Sequence, residues 1–80
     1  MVTVTLLYFA SLRERTGVGS ESVSTRANDL AGLYAEVQAR HGIAWPREHL
    51  RVAMNGEFAR WHDAPVEGSE IAFIPPVSGG

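Results

Sequence analysis

The chain has 80 residues, no cysteine and a formal net charge of −2. One small domain is expected, because a chain of this length buries only about 60–65% of its unfolded surface and has little volume for a deep pocket. Without cysteine there is no disulfide, thiolate ligand or thiol nucleophile. All seven basic residues are arginines, scattered from Arg13 to Arg60 rather than clustered, which argues against nucleic-acid binding. No leader or membrane-length apolar run is visible, so a cytoplasmic protein without membrane contact is expected.

Residues 1–9 alternate Val2, Val4, Leu6 and Tyr8 against Thr3, Thr5, Leu7 and Phe9, the period of a strand. The threonines mark its outer face, which places Leu7 and Phe9 on that face too, where two large apolar groups need cover. Residues 10–15 read as a brief helical turn, 16–20 as a loop, and 21–25 as a second strand with Val23 inward, forming a hairpin with the first. Asn28 is expected to cap the main helix, with Asp29 in its first turn. Leu30, Leu33, Tyr34 and Val37 then follow at helical spacing until His41-Gly42 ends it. The Trp45-Pro46 segment is expected to pack on the core as a loop. Residues 50–55 form a third strand, Asn55-Gly56 a tight turn, 57–61 the start of a return strand, 65–68 a turn, and Glu70–Ile74 the last strand. Hairpin, long helix, hairpin and final strand describe an α+β chain with one helix across one face of a mixed sheet, a ubiquitin-like β-grasp architecture.

Several familiar constellations are absent. His41, His49 and His62 lack the spacing of a metal pair and are expected to be solvated, so no metal site is assigned. Glu67 and Glu70 flank a Gly-Ser turn without a nucleophile or base beside them. Gly17-Val18-Gly19 lacks the third glycine and the lysine of a phosphate loop.

The end of the chain is more informative. In the last strand Ile71 and Phe73 share one face and Ala72 and Ile74 the other, so both sides are apolar and only one can meet the helix. The outer set gathers Leu7, Phe9, Phe58, Ile74 and Pro75, a candidate partner-docking surface. Pro75 and Pro76 fix φ, remove two donors and send the chain out extended, so residues 75–80 are expected to form a flexible, extended tail. Pro75, Pro76, Val77 and Ser78 are therefore partner-binding candidates, and six extended residues span roughly 20 Å. Gly79 and Gly80 carry no side chain to block a narrow channel and leave the terminal carbonyl carbon unhindered. That carboxylate is ionised at neutral pH and a poor electrophile until activated from outside. The absence of lysine leaves an activated terminus no ε-amine on its own chain.

The segments Leu7-Tyr8-Phe9-Ala10-Ser11-Leu12-Arg13-Glu14 and Ala72-Phe73-Ile74-Pro75-Pro76-Val77-Ser78-Gly79-Gly80, with Val52-Ala53-Met54-Asn55-Gly56-Glu57 between them, resemble the small subunits of molybdopterin synthase, ubiquitin-like sulfur carriers. The resemblance implies that a ubiquitin-activating-like enzyme uses MgATP to adenylate Gly80 and that a persulfide donor converts the adenylate to a C-terminal thiocarboxylate. It further implies that this thiocarboxylate gives sulfur to cyclic pyranopterin monophosphate in the large synthase subunit, within a heterotetramer. No cofactor is expected to stay bound, and the chain is expected to catalyse little alone. A carrier for thiamin, cysteine or tRNA thiolation, a lysine-conjugated protein modifier, and an interaction module with a passive tail are the alternatives.

Overall fold

The computed structural model describes residues 1–75. The alternating first segment forms β1 (Val2–Tyr8), followed by the short helix α1 (Ala10–Thr16), β2 (Ser20–Thr25), the main helix α2 (Leu30–His41), a single 3-10 turn (Arg47–His49), β3 (Arg51–Met54), β4 (Glu57–Ala59) and β5 (Glu70–Ile74). The five strands make one mixed sheet in the order β2-β1-β5-β3-β4. β1 pairs antiparallel with β2 and parallel with β5, while β3 pairs antiparallel with both β4 and β5. The parallel pairing of first and last strands requires a crossover, and α2 supplies it. This is the β-grasp arrangement read from the sequence. Among the described residues, no helix is long and apolar enough to cross a membrane.

The core lies between α2 and the inner face of the sheet. Leu30, Leu33, Tyr34 and Val37 of α2 meet Val4, Leu6, Tyr8, Val23, Val52, Ile71 and Phe73, all buried. Phe73 is held by two aromatic neighbours, with Tyr34 at 5.1 Å tilted by 54° and Trp61 stacked at 6.1 Å, arrangements that favour ring pairs beyond area burial. Trp45 packs against this core as expected, and its carbonyl accepts from Tyr34 Oη at 2.7 Å and Gln38 Nε2 at 2.9 Å.

Helix α2 starts one residue later than the sequence suggests. Asp29, not Asn28, is its cap, because Asp29 Oδ1 accepts from the Gly32 amide at 2.7 Å. The Leu30 and Ala31 amides donate to the carbonyls of Asp63 and Trp61, so the loop before β5 satisfies the next two donors. Gly42 ends the helix with φ 65°, the left-handed geometry that stops helices and favours glycine. Asn55 and Gly56, at φ 54° and 84°, supply the paired positive angles of a tight hairpin turn.

His41 corrects the expectation of three solvated histidines. Its ring lies edge-on to Tyr8 at 5.8 Å, and its Nε2 hydrogen-bonds Glu21 Oε2 at 2.7 Å. Tyr8 Oη donates to the same oxygen at 2.5 Å, and Arg40 Nη1 donates to Glu21 Oε1 at 3.3 Å. Glu21 is opposite Leu6 in the strand register and so falls on the inner face at the sheet's edge, where a carboxylate would be stranded without these donors. Burial alone would raise the Glu21 pKa, but the hydrogen bonds from Tyr8 and His41, with the charges of His41 and Arg40, hold it below its ordinary value of 4.5. Burial, reinforced by the Glu21 carboxylate, drives the Tyr8 phenol far up.

The unfolded chain therefore takes up a proton at Glu21 before the folded one does. The cluster's contribution is fully present above pH 4.5 and is lost as pH falls below it. Glu21→Gln should lower stability at pH 7 by about 1–3 kcal/mol. In urea unfolding followed by circular dichroism, the gap to the parent should narrow as pH drops from 5 toward 3. A gap independent of pH would refute the assignment.

Candidate functional site

The register places Ser20, Leu7, Ala72, Ala53 and Phe58 in one row across the outer face, each opposite the next. Two alanines in the middle of a row bounded by Leu7 and Phe58 leave a hollow. It has a volume of about 260 Å³, with Phe9 and Ile74 also in its wall and Glu70 and Gly56 completing it. Ala53 and Ala72 are themselves buried, whereas Phe58 is 73% and Phe9 47% exposed, so the hollow has a small-residue floor and aromatic rims. The outer face thus divides chemically. Its β1–β2 part carries the hydroxyls of Thr3, Thr5, Ser20, Ser22 and Ser24, and its β5–β3–β4 part is apolar apart from Arg51 and Glu70.

Phe9 owes its position to the chain path after β1. It is extended at φ −124° and ψ 152°, and Ala10 follows at φ 50°, a left-handed angle that alanine tolerates poorly. That turn redirects the chain into α1, whose Leu12 is buried while Phe9 stays on the rim. A second cavity of about 420 Å³ adjoins the first, sharing Phe58 and Ile74 and adding Leu50, Arg51, His49, Glu48 and Pro75. Arg51 is opposite Ile74, and its guanidinium carbon lies 5.8 Å from the centre of the Phe58 ring, within cation–π range.

The structure therefore brings together four of the residues singled out from the sequence, Leu7, Phe9, Phe58 and Ile74, around one hollow. Pro75, assigned to the tail, is buried and lines the second cavity, so the chain is still against the domain at that residue. Pro76, Val77, Ser78, Gly79 and Gly80 lie outside the described residues. Ala53, Ala72 and Arg51 were not among the residues picked from the sequence. The signal for Ala53 and Ala72 was an alanine between two larger apolar residues in each strand, Val52-Ala53-Met54 and Ile71-Ala72-Phe73, which marks a position where the sheet is thin. Among the described residues, no three His, Asp or Glu side chains gather where a metal could bind.

If the hollow is a surface and not core, truncating its rim should cost little. Phe58→Ala should lower stability by less than about 0.5 kcal/mol, as is usual for exposed sites. Phe73→Ala, beneath the same sheet, should cost about 3–5 kcal/mol. Comparable losses in denaturant midpoint for the two would contradict the assignment of faces.

The ThiS family matches residues 6–80. The molybdopterin synthase sulfur carrier subunit of Homo sapiens is 40% identical over 82 residues, covering 96% of this chain and 93% of that protein. Among solved structures, SAMP1 from Haloferax volcanii superposes with a TM-score of 0.80 at 28% identity, covering 98% of this chain and 99% of that one. A complex of subunits 1 and 2 of the molybdopterin-converting factor from Helicobacter pylori contains a chain that matches with a TM-score of 0.68 at 24% identity, covering 99% of this chain and 100% of that one.

Proposed function

The chain belongs to the ThiS family, and we propose that it is the sulfur carrier of molybdopterin synthesis, bearing the transferred sulfur on Gly80. The observation that carries this reading is the setting of β5. The strand that runs into the Gly-Gly terminus is the middle strand of the sheet, and it borders an apolar hollow on the face α2 does not cover. The 40% identity to a human sulfur carrier subunit over nearly the whole chain supports it.

In this reading an oxygen of the Gly80 carboxylate attacks the α-phosphate of MgATP in a ubiquitin-activating-like enzyme and releases pyrophosphate. A persulfide's terminal sulfur then displaces AMP at the carbonyl carbon. A further thiol takes the donor sulfur away as a disulfide, leaving the thiocarboxylate on Gly80. The tail next enters the large subunit of molybdopterin synthase, where the sulfur attacks cyclic pyranopterin monophosphate, and two carriers in turn supply the two dithiolene sulfurs. Holding the sulfur at the end of an anchored strand replaces free sulfide with one positioned nucleophile at high effective concentration.

The hollow and its rim serve as the docking surface for both proteins, which makes their binding mutually exclusive. Subunits 1 and 2 of the Helicobacter pylori factor form a complex, and the same pairing is proposed here. Phe9→Ala or Ile74→Ala should weaken binding of the large subunit by about 1–4 kcal/mol if these side chains anchor the contact. Calorimetric affinity equal to the parent's would remove the hollow from the docking role.

Incubation with the cognate activating enzyme, MgATP and a sulfide source should raise the intact mass by about 16 Da, oxygen exchanged for sulfur. Deleting Gly80 should abolish the gain. No mass change, with an activating enzyme shown to work on another carrier, would refute the sulfur-carrier reading, and a gain matching a target peptide would identify a protein modifier. Gly79→Val and Gly80→Val should leave thermal stability nearly unchanged. Either should nevertheless slow adenylation or sulfur transfer more than tenfold, equivalent to about 1.4 kcal/mol. Wild-type rates for both variants in both steps would refute the steric role of the glycines.

A further inference from the structure

The outward-facing strand positions are Thr3, Thr5 and Leu7 on β1, Ser20, Ser22 and Ser24 on β2, Arg51 and Ala53 on β3, Phe58 on β4, and Glu70, Ala72 and Ile74 on β5. Only two of these are charged, and they lie at opposite ends of the hollow. Arg51 is opposite Ile74, one row toward the tail from the Ala53–Ala72 pair, and Glu70 is one row away on the other side. Two rows of an antiparallel sheet put the two backbones about 14 Å apart along the strands.

Arg51 is held in place by its surroundings, and Glu70 is anchored through its backbone. Arg51 is restrained by its strand and by the Phe58 ring beneath its guanidinium. The Glu70 backbone is tied to Asn55 twice, its amide donating to Asn55 Oδ1 at 2.9 Å and its carbonyl accepting from the Asn55 amide at 2.8 Å. Neither side chain is in an ion pair among the described residues; the pairs formed there use Glu21 and Asp63. A surface that carried its charge only for solubility would spread it. Here the hydroxyl part of the face has none, and the apolar part has one cation and one anion with the hollow between them.

We propose that this pair orients the large synthase subunit when it docks on the hollow. The partner places an apolar side chain over Ala53 and Ala72, a carboxylate over Arg51 at the tail end, and a cation over Glu70 at the far end. An apolar hollow by itself accepts a side chain from many directions, whereas opposite charges at its two ends favour one orientation and penalise the reverse. The guanidinium's planar fork suits a carboxylate, and its site beside Ile74 and Pro75 puts that contact next to the point where the chain runs into residues 76–80. Arg51 is then a positioning residue, aligning the partner's entrance with the tail. This inference rests on the docking role proposed above for the hollow.

The test is titration calorimetry of the full chain against the large synthase subunit, at about 0.05 M and 0.5 M salt, where exposed charge pairs differ in screening. The variants are Arg51→Glu, Arg51→Gln, Glu70→Lys and Ala72→Leu, the last filling the hollow without touching charge. Expected are a tenfold or greater loss of affinity for Arg51→Glu and Glu70→Lys at low salt, a smaller loss for Arg51→Gln, and salt sensitivity that shrinks in all three. Ala72→Leu should weaken binding equally at both salts. Circular dichroism melts check folding, and Arg51→Gln carries the test if the reversal perturbs the strand. If Ala72→Leu weakens binding while all three charge variants bind like the parent, the orienting role is overturned and the docking surface stands. If none of the four weakens binding, the docking reading fails and this inference fails with it.

Discussion

The parallel pairing of β1 with β5 is the constraint on which the rest depends. It puts the last strand in the middle of the sheet, hydrogen-bonded on both sides, with Ile71 and Phe73 fully buried beneath it. A chain segment entering from such a strand is held at its root by the most cooperative part of the fold, not by an edge that frays. Because parallel neighbours cannot be joined by a tight turn, the same pairing requires the α2 crossover, and α2 in turn covers one face and leaves the other open. The sheet's two-sidedness and the position of the hollow both follow from it.

Within β5 the alternation of side-chain size does two jobs at once. Ile71 and Phe73 fill the space under α2, where Tyr34 and Trp61 close around the Phe73 ring. Ala72, between them, faces outward opposite Ala53 and keeps the outer surface low. Leu7, Phe9, Phe58 and Ile74 stand around that low ground. A core demand and a surface demand are thus met by the same five residues without conflict, since neighbouring side chains on a strand point to opposite faces.

The Glu21 cluster closes the other end of the core. It ties β1, β2 and the last turn of α2 through one carboxylate that accepts from Tyr8, His41 and Arg40. The two basic residues also sit where a helix C-terminus favours positive charge. An inward-facing acid at a sheet edge is tolerated here because Tyr8, His41 and Arg40 all hydrogen-bond its carboxylate.

Local pattern in the sequence determined the element order, the helix face built from Leu30, Leu33, Tyr34 and Val37, the Asn55-Gly56 turn, and the sharing of an outer face by Leu7, Phe9 and Ile74. These depend on period and on backbone angles that few residues adopt, both of which are written in adjacent positions. The tail residues were also singled out from sequence, because Pro-Pro fixes φ and Gly-Gly removes side-chain bulk without reference to neighbours. Tertiary structure alone decided that Ala53 faces Ala72, that Arg51 lies beside Ile74, and that His41 reaches Glu21 rather than solvent. Those are contacts between residues some 20 positions apart, set by strand register and by where α2 lands. A histidine at a helix end or an alanine in a strand looks the same in sequence whether its cross-strand neighbour is a carboxylate, an alanine or water.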